Sequence, residues 1–169
     1  MKARDRDPAR SRRVCEEIGA DDEGVLSQLD TYFEVPRGRL KLREQSPGGA
    51  QLIAYERSDD RGGAESRYRI VEVPDPAEMM AALASTLGVR VEVRKARRVY
   101  LYEGVRIHLD EVEGLGSFIE FEGVATAERD ADAFEPVLTD LRLRFSIADA
   151  DLVAVSYSDL VEAAAGLSG

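Results

Sequence analysis

The alternation of apolar and polar residues predicts that most of this chain forms β-strands. The stretches that show this alternation cover, approximately, residues 25–35, 39–45, 51–57, 66–73, 89–101, 105–112 and 117–126. Glycine and proline fill the gaps between them, as at Pro36-Arg37-Gly38 and Glu113-Gly114-Leu115-Gly116. Because these gaps have the length of hairpin turns, we expect neighbouring strands to be antiparallel.

Helices are predicted at four places. Asp7-Pro8 and Asp75-Pro76 each combine an N-cap residue with a proline at the first helical position, and a glycine follows each of these helices. The other two helices are expected at about residues 133–145 and 158–165. Many strands with few helices favour the α+β class, as an antiparallel sheet or barrel with helices packed outside.

Charged residues are segregated by sign on the faces of the predicted strands, since residues of equal parity share a face. The sets of equal parity are Arg39, Lys41 and Arg43; Lys95 and Arg97; Arg106, His108 and Asp110; and Glu120 and Glu122. For any one strand, a solvated outer face is the better explanation. Taken together, the sets predict a cavity with basic walls and a carboxylate patch, which suits a polyanion with a divalent metal.

The composition restricts the partners of such a cavity. The 23 Lys and Arg against 33 Asp and Glu give a net charge of −10, which argues against duplex nucleic acid and anionic membranes as partners. No apolar run approaches the roughly 20 residues that span a bilayer. The single cysteine, Cys15, excludes an intramolecular disulfide framework, and the first residues lack the apolar core of a secretory signal. We therefore expect a cytoplasmic protein.

Three segments resemble one known family. Residues 30–44 (DTYFEVPRGRLKLRE) strongly resemble the first strand pair of the CYTH family, which includes the class IV (class two) adenylyl cyclases and the thiamine triphosphatases. Residues 106–122 (RIHLDEVEGLGSFIEFE) and 156–160 (SYSDL) resemble the class IV cyclase branch in particular. The resemblance covers essentially the whole chain. It implies a single domain over residues 1–169 that forms an antiparallel eight-stranded closed or nearly closed β-barrel, the triphosphate tunnel, with helices outside.

The resemblance also assigns roles to residues. The expected triphosphate-binding cations are Lys2, Arg39, Lys41, Arg57, Arg67, Lys95, Arg97 and Arg106. The expected ligands of Mg²⁺ or Mn²⁺ are Asp110, Glu120 and Glu122. The groups expected to act in catalysis are Lys95, Arg97, Arg106 and Asp110. A lone histidine in a strand is more often structural, so we expect a structural role for His108.

The implied activity is that of a metal-dependent enzyme. A class IV adenylyl cyclase converts ATP to cyclic AMP and pyrophosphate, whereas a triphosphatase hydrolyses an organic triphosphate. One departure keeps an alternative open. If Lys2 closes the family's Glu-x-Glu-x-Lys signature, both glutamates would fall before Met1, so the N-terminal strand would be truncated. The alternative is a weakened or inactive CYTH module that binds nucleotide or polyphosphate. The oligomeric state stays open, with a homodimer among the possibilities.

Overall fold

Hairpins connect most strands of the structure, a computed structural model that describes residues 1–56, 67–123 and 131–166. The strands are β1 (Lys2–Arg4), β2 (Asp21–Phe33), β3 (Arg39–Ser46), β4 (Gly49–Glu56), β5 (Arg67–Glu72), β6 (Val89–Tyr102), β7 (Val105–Val112) and β8 (Gly116–Gly123). The α-helices are α1 (Pro8–Glu17), α2 (Pro76–Leu87), α3 (Glu135–Arg144) and α4 (Tyr157–Gly166). Short 3-10 turns occupy Ala131–Phe134 and Asp149–Asp151.

The two Asp-Pro helix starts are confirmed in atomic detail. The Asp7 carboxylate accepts a hydrogen bond of 2.9 Å from the backbone N–H of Arg10. The Asp75 carboxylate accepts one of 3.1 Å from Glu78 in the same way. Each bond satisfies an amide that the helix itself cannot pair. Helix α2 ends at Gly88, whose φ of 80° lies in the left-handed region that glycine tolerates best.

The strands form one antiparallel sheet in the order β1-β8-β7-β6-β2-β3-β4-β5. The predicted α+β class and the eight antiparallel strands are confirmed. The predicted closure into a barrel is not confirmed, because no hydrogen-bonded ladder joins β1 to β5 within the described parts of the chain. None of the helices in those parts combines the length and hydropathy that crossing a bilayer requires.

Internal contacts divide the chain into two compact units. The first unit contains Met1–Leu26 and Lys95–Ser156, and the second contains Ser27–Arg94 and Tyr157–Gly169. Strands β2 and β6 each contribute residues to both units. Each unit has its own hydrophobic core.

The core of the first unit lies between one face of the sheet and the helices α1 and α3. It contains Ala3, Val14, Cys15, Tyr100, Val105, Ile107, Ile119, Phe121, Phe134, Leu141, Phe145 and Ile147. Phe121 and Phe145 meet edge to face, with ring centroids 5.2 Å apart. A side chain at Gly123 would clash with Phe134, since an added Cβ would lie 2.8 Å from that ring. Glycine therefore permits the close approach of this ring to the end of β8.

An arginine from α1 ties the two helices of the first unit together. The Arg10 guanidinium donates to the backbone carbonyls of Phe145 and Arg144, each at 3.1 Å, and to Ser146 Oγ at 3.0 Å. Carbonyls at the end of a helix have no partner within it, and a cation is favourable there. Arg10 thus stabilises the C-terminal end of α3 while holding α1 beside it.

The core of the second unit lies between α2 and one face of β2, β3 and β4. Its buried members are Phe33, Leu42, Ala50 and Val73, and Leu40, Leu52, Met79, Met80, Leu83 and Leu87 pack against them. In both units, helices pack against one face of the sheet. The buried charged clusters lie on the opposite faces.

The core assignment predicts different outcomes for two leucines of α3. Leu141 is fully buried, whereas Leu143 is 73% exposed. We expect Leu141→Ala to lower the free energy of unfolding by about 2–5 kcal/mol, because it leaves a cavity. Leu143→Ala, the matched control, should change it by less than about 0.5 kcal/mol. Urea unfolding followed by circular dichroism measures both, and equal losses would contradict this core.

Candidate functional site

The register of the first unit brings the predicted charged residues to one face of the sheet. Arg97 on β6 pairs with Asp110 on β7, and His108 on β7 pairs with Glu120 on β8. Arg106 pairs with Glu122, and Lys2 on β1 pairs with Glu120 from the other side. Their neighbours of opposite parity, such as Ile107 and Ile119, belong to the helix-packed core. Strand alternation therefore separates a polar face from an apolar one, as the sequence predicts.

Arg97 is the centre of this polar face. Its Nε donates to Asp110 Oδ1 at 2.7 Å, and its Nη2 donates to Asp110 Oδ2 at 2.6 Å and to Glu120 Oε2 at 2.7 Å. Arg97 is 8% exposed and Asp110 is 2% exposed, so these charges are largely removed from water. Breaking such a buried pair by removing one partner costs about 3–5 kcal/mol, because the remaining charge is left uncompensated.

Three further residues surround this arginine cluster. Lys95 is buried, and its positive charge acts on both Asp110 and Glu120. His108 is buried between two carboxylates, with Nδ1 3.3 Å from Glu120 Oε2 and Nε2 4.0 Å from Glu122 Oε2. Half of the Arg106 side chain is exposed, and its Nη1 lies 3.5 Å from Glu122 Oε2. Arg106 and Glu122 are therefore the members of this face most accessible to solvent.

The cluster keeps the carboxylates of Asp110 and Glu120 ionised. Burial alone would raise the pKa of Asp110, but the hydrogen bonds and charge of Arg97 outweigh it and lower the pKa below its usual value. Burial also acts to raise the pKa of Glu120. There the hydrogen bond with His108 and the charges of Arg97, His108 and Lys95 prevail, and the pKa falls well below its usual value.

The second unit contains a similar arrangement around Asp30. Lys41 Nζ donates to Asp30 Oδ2 at 2.7 Å. Arg43 donates from Nε to Oδ1 at 2.6 Å and from Nη2 to Oδ2 at 2.7 Å. Lys41 Nζ also lies 5.4 Å from the centre of the Tyr32 ring. Asp30 is 2% exposed, so it acts as a fixed internal counter-ion for the two cations.

Arg39 has a different carboxylate partner in the same unit. Its Nη2 donates to both oxygens of Asp159 on α4, at 2.9 and 3.0 Å, and its Nη1 donates to Ser158 Oγ at 3.1 Å. Arg39 also lines a small, open cleft of about 70 Å³. Arg90, at the start of β6, lines the same cleft.

The predicted site residues are therefore distributed over both units. Lys95, Arg97, Arg106, Asp110, Glu120 and Glu122 share the polar face of the first unit, whereas Arg39 and Lys41 lie in the second. Lys2 Nζ donates to the carbonyl of Val155. Arg57 lies outside the described residues. The backbone of Arg67 pairs with Glu56 at the start of β5, and its side chain is also outside the described part of the chain.

Four residues of these charged clusters were missed as site residues. Arg43 has the parity of Arg39 and Lys41, so the signal for it was present. Asp30 has no such signal, because its contact requires the pairing of β2 with β3. Arg90 differs in parity from Lys95 and Arg97, and Asp159 comes from a helix distant in sequence.

The expected metal ligands fit only in part. Both oxygens of Asp110 accept hydrogen bonds from Arg97, so this carboxylate orients the guanidinium and has only its remaining lone pairs for a metal ion. Within residues 1–56, 67–123 and 131–166, no three His, Cys, Asp or Glu side chains gather as a metal-binding group. Mg²⁺, however, is usually held by one or two carboxylates together with substrate phosphates. Glu120 and Glu122 share a face of β8 and approach His108 from two sides, so this pair fits such a site.

This geometry defines a class of α+β proteins in which an antiparallel sheet has charged clusters on one face and helices packed on the other. The model of the family described as "CYTH domain" matches residues 1–157, and the chain belongs to the CYTH family.

Individual relatives agree with this family. The adenylate cyclase CyaB of Aeromonas hydrophila is 28% identical over 144 residues, which cover 80% of this chain and 72% of that protein. The PH1012 protein of Pyrococcus horikoshii OT3 has a TM-score of 0.83 at 25% identity, covering 95% of this chain and 96% of the other. A conserved hypothetical protein from Pyrococcus furiosus has a TM-score of 0.81 at 20% identity, covering 95% and 99%, and shows similarity of fold alone.

The lowered pKa values predict how stability depends on pH. A carboxyl whose pKa is lower in the folded state stabilises the protein above its unfolded-state pKa, and this contribution is lost as the pH falls through the folded-state pKa. We therefore expect the free energy of unfolding to fall as the pH is lowered from about 5 towards 2. Glu120→Gln should be less stable at pH 7 and show a shallower fall, because one titrating group is gone. Urea unfolding at a series of pH values measures this, and parallel curves would contradict it.

Proposed function

We propose that this chain binds an organic triphosphate and acts on it, most specifically as a class IV adenylyl cyclase or as a triphosphatase of the CYTH type. The observation that supports this proposal is the polar face on which Lys95 and Arg97 are buried and Arg97 is oriented by Asp110 and Glu120. Arginine offers a rigid fork that matches phosphate oxygens, and lysine offers a point charge. The proposal includes a cytoplasmic location, in keeping with the single buried cysteine, Cys15.

The two reactions differ in the attacking oxygen and share the charge that must be stabilised. In the cyclase, the ribose 3′ oxygen bonds to the α-phosphorus, and the bond from that phosphorus to the bridging oxygen breaks to release pyrophosphate. In the triphosphatase, a water oxygen bonds to the terminal phosphorus, and the bond from that phosphorus to the bridging oxygen breaks to release the diphosphate and free phosphate. In both, Lys95, Arg97 and Arg106 stabilise the charge that develops on the leaving phosphates. Asp110 holds the guanidinium of Arg97 in place, so that little reorganisation is required.

A divalent metal is part of the proposal. Glu120 and Glu122 would hold Mg²⁺ or Mn²⁺, which supplies charge neutralisation and makes the attacking oxygen more acidic. His108 lies against both carboxylates and restricts their positions.

A second candidate function is binding of nucleotide or polyphosphate without turnover. The contact of both Asp110 oxygens with Arg97 favours it, because this carboxylate is then occupied by a cation of the protein itself. The face would still attract phosphate groups through Lys95 and the half-exposed Arg106.

Product analysis with ATP tests the proposal. We expect cyclic AMP and pyrophosphate for a cyclase, or free phosphate for a triphosphatase, in the presence of Mn²⁺ or Mg²⁺. Arg106→Met should lower kcat/KM about 10-fold or more with little loss of stability, since its ion pair is exposed. Chromatography of the products and steady-state kinetics measure both effects.

The control is Arg98→Met, which removes the same charge from β6 at a residue paired with Asp22. It should leave kcat/KM within about twofold of the wild-type value, because Arg98 lies on the opposite face from Arg97. If the protein binds ATP but forms neither product, the enzyme proposal is wrong and the second candidate function, binding without turnover, takes its place. If neither binding nor turnover is found, both candidate functions are wrong.

Metal binding can be measured separately from turnover. We expect the protein with inorganic tripolyphosphate to bind Mn²⁺, seen as loss of the free-ion signal in electron paramagnetic resonance. The double variant Glu120→Gln, Glu122→Gln should weaken this binding at least about 10-fold, because two carboxylate ligands are lost. The double variant Glu111→Gln, Glu113→Gln removes the same charge from exposed positions and serves as the control. Equal Mn²⁺ binding by the two variants would exclude Glu120 and Glu122 as ligands.

A further inference from the structure

Helix α4 places two carboxylates on two arginines of the second unit. Asp159 accepts two hydrogen bonds from Arg39, and its Oδ1 lies 3.7 Å from Arg90 Nη2. Glu162 accepts from Arg90 Nε at 2.7 Å and from Nη2 at 2.5 Å. Asp159 and Glu162 are three residues apart, so they project from the same side of the helix. The arginines are therefore bridged by a pair of anions from one short segment.

This contact has the geometry with which arginine recognises phosphate. Arg90 donates from Nε and Nη2 to the two oxygens of Glu162, which is the forked contact that a guanidinium makes with two oxygens of a phosphate. Arg39 contacts both oxygens of Asp159 through Nη2 alone. The arginines also keep their charge. The pKa of Arg90 is raised, chiefly through its hydrogen bond with Glu162, and the pKa of Arg39 is raised because its contact with Asp159 outweighs the effect of burial.

A cleft beside the two arginines provides space for a ligand. It is a small, open cleft with a volume of about 70 Å³, and Tyr32, Glu34, Gly38, Arg39, Leu40 and Arg90 are among the residues that line it. The side chains of the four ion-pair residues are 19–35% exposed. Ion pairs with this degree of exposure contribute little net stability, so another anion can exchange with them.

We propose that Arg39 and Arg90 form a binding site for a polyphosphate group, and that Asp159 and Glu162 of α4 occupy this site when no ligand is bound. The choice of polyphosphate as the ligand rests on the proposed function. A ligand with several negative charges displaces the two carboxylates and releases α4 from the arginines. The helix thus regulates access to the site as an internal competitor.

Calorimetry with inorganic tripolyphosphate tests this competition. The double variant Asp159→Asn, Glu162→Gln should bind tripolyphosphate about three- to tenfold more tightly than the wild type, because two exposed ion pairs no longer compete. The single variant Glu162→Gln should give part of the gain in affinity. Because it leaves Asp159 in place, it still tests the proposal if the double variant fails to fold. The control is the double variant Asp140→Asn, Glu78→Gln, which removes the same charge away from Arg39 and Arg90. Asp140 pairs with Arg144, and Glu78 is exposed on α2. Affinity equal to the wild type in the test variant, or an equal gain in the control, would overturn the proposal.

A third substitution identifies the site itself. Adding Arg90→Met to the double variant should remove the gain in affinity, because the second guanidinium is lost. Hydrogen exchange of α4 in the wild type should become faster when tripolyphosphate binds. Retention of the full gain without Arg90, or unchanged exchange in α4, would contradict the proposed site. These readouts need no turnover, so a protein that makes no product can still support the inference, and an active one can refute it.

Discussion

Neutralisation of buried charge is the constraint on which the first unit depends. A guanidinium as deeply buried as that of Arg97 requires fixed anions, because an isolated charge is very costly to remove from water. Asp110 and Glu120 supply these anions only in the observed register of β6, β7 and β8. A slip of one residue would turn Asp110 into the helix-packed core and expose its apolar neighbours. The ionic cluster and the hydrophobic core therefore fix the same register from opposite faces of the sheet.

In the second unit, different residues neutralise the buried charge. Asp30 is enclosed by Lys41 and Arg43, and α2 covers the opposite face. In both units a carboxylate holds cationic side chains in defined positions. This explains how an acidic protein can keep oriented positive charge: its acidic groups are partly used as internal counter-ions. Such preorganisation is what electrostatic recognition of a polyanion requires.

Local patterns predicted much of this molecule. The Asp-Pro helix starts, the alternation in β3, β6, β7 and β8, and the faces shared within one strand by Lys95 and Arg97 or by Glu120 and Glu122 all follow from rules that act over a few residues. Local patterns did not predict strand β1, which only the family resemblance implied as a truncated N-terminal strand, because β1 has just three residues. They also missed the early start of β2, which begins with the polar run Asp21-Asp22-Glu23. Partner choice was also beyond these patterns. The contact of Asp110 with Arg97 and that of Arg90 with Glu162 depend on which elements meet in space.

The counter-ion at Asp30 has a consequence for selectivity. Two cations and one carboxylate leave a net charge of +1 at this cluster, and any arriving anion competes with a carboxylate already in ideal hydrogen-bonding geometry. Chloride or another monovalent ion gains too little from such an exchange to displace it. A chain of linked phosphates gains at several contacts at once. Under the proposed function, this cluster would therefore favour multivalent anions over the abundant small anions around the protein.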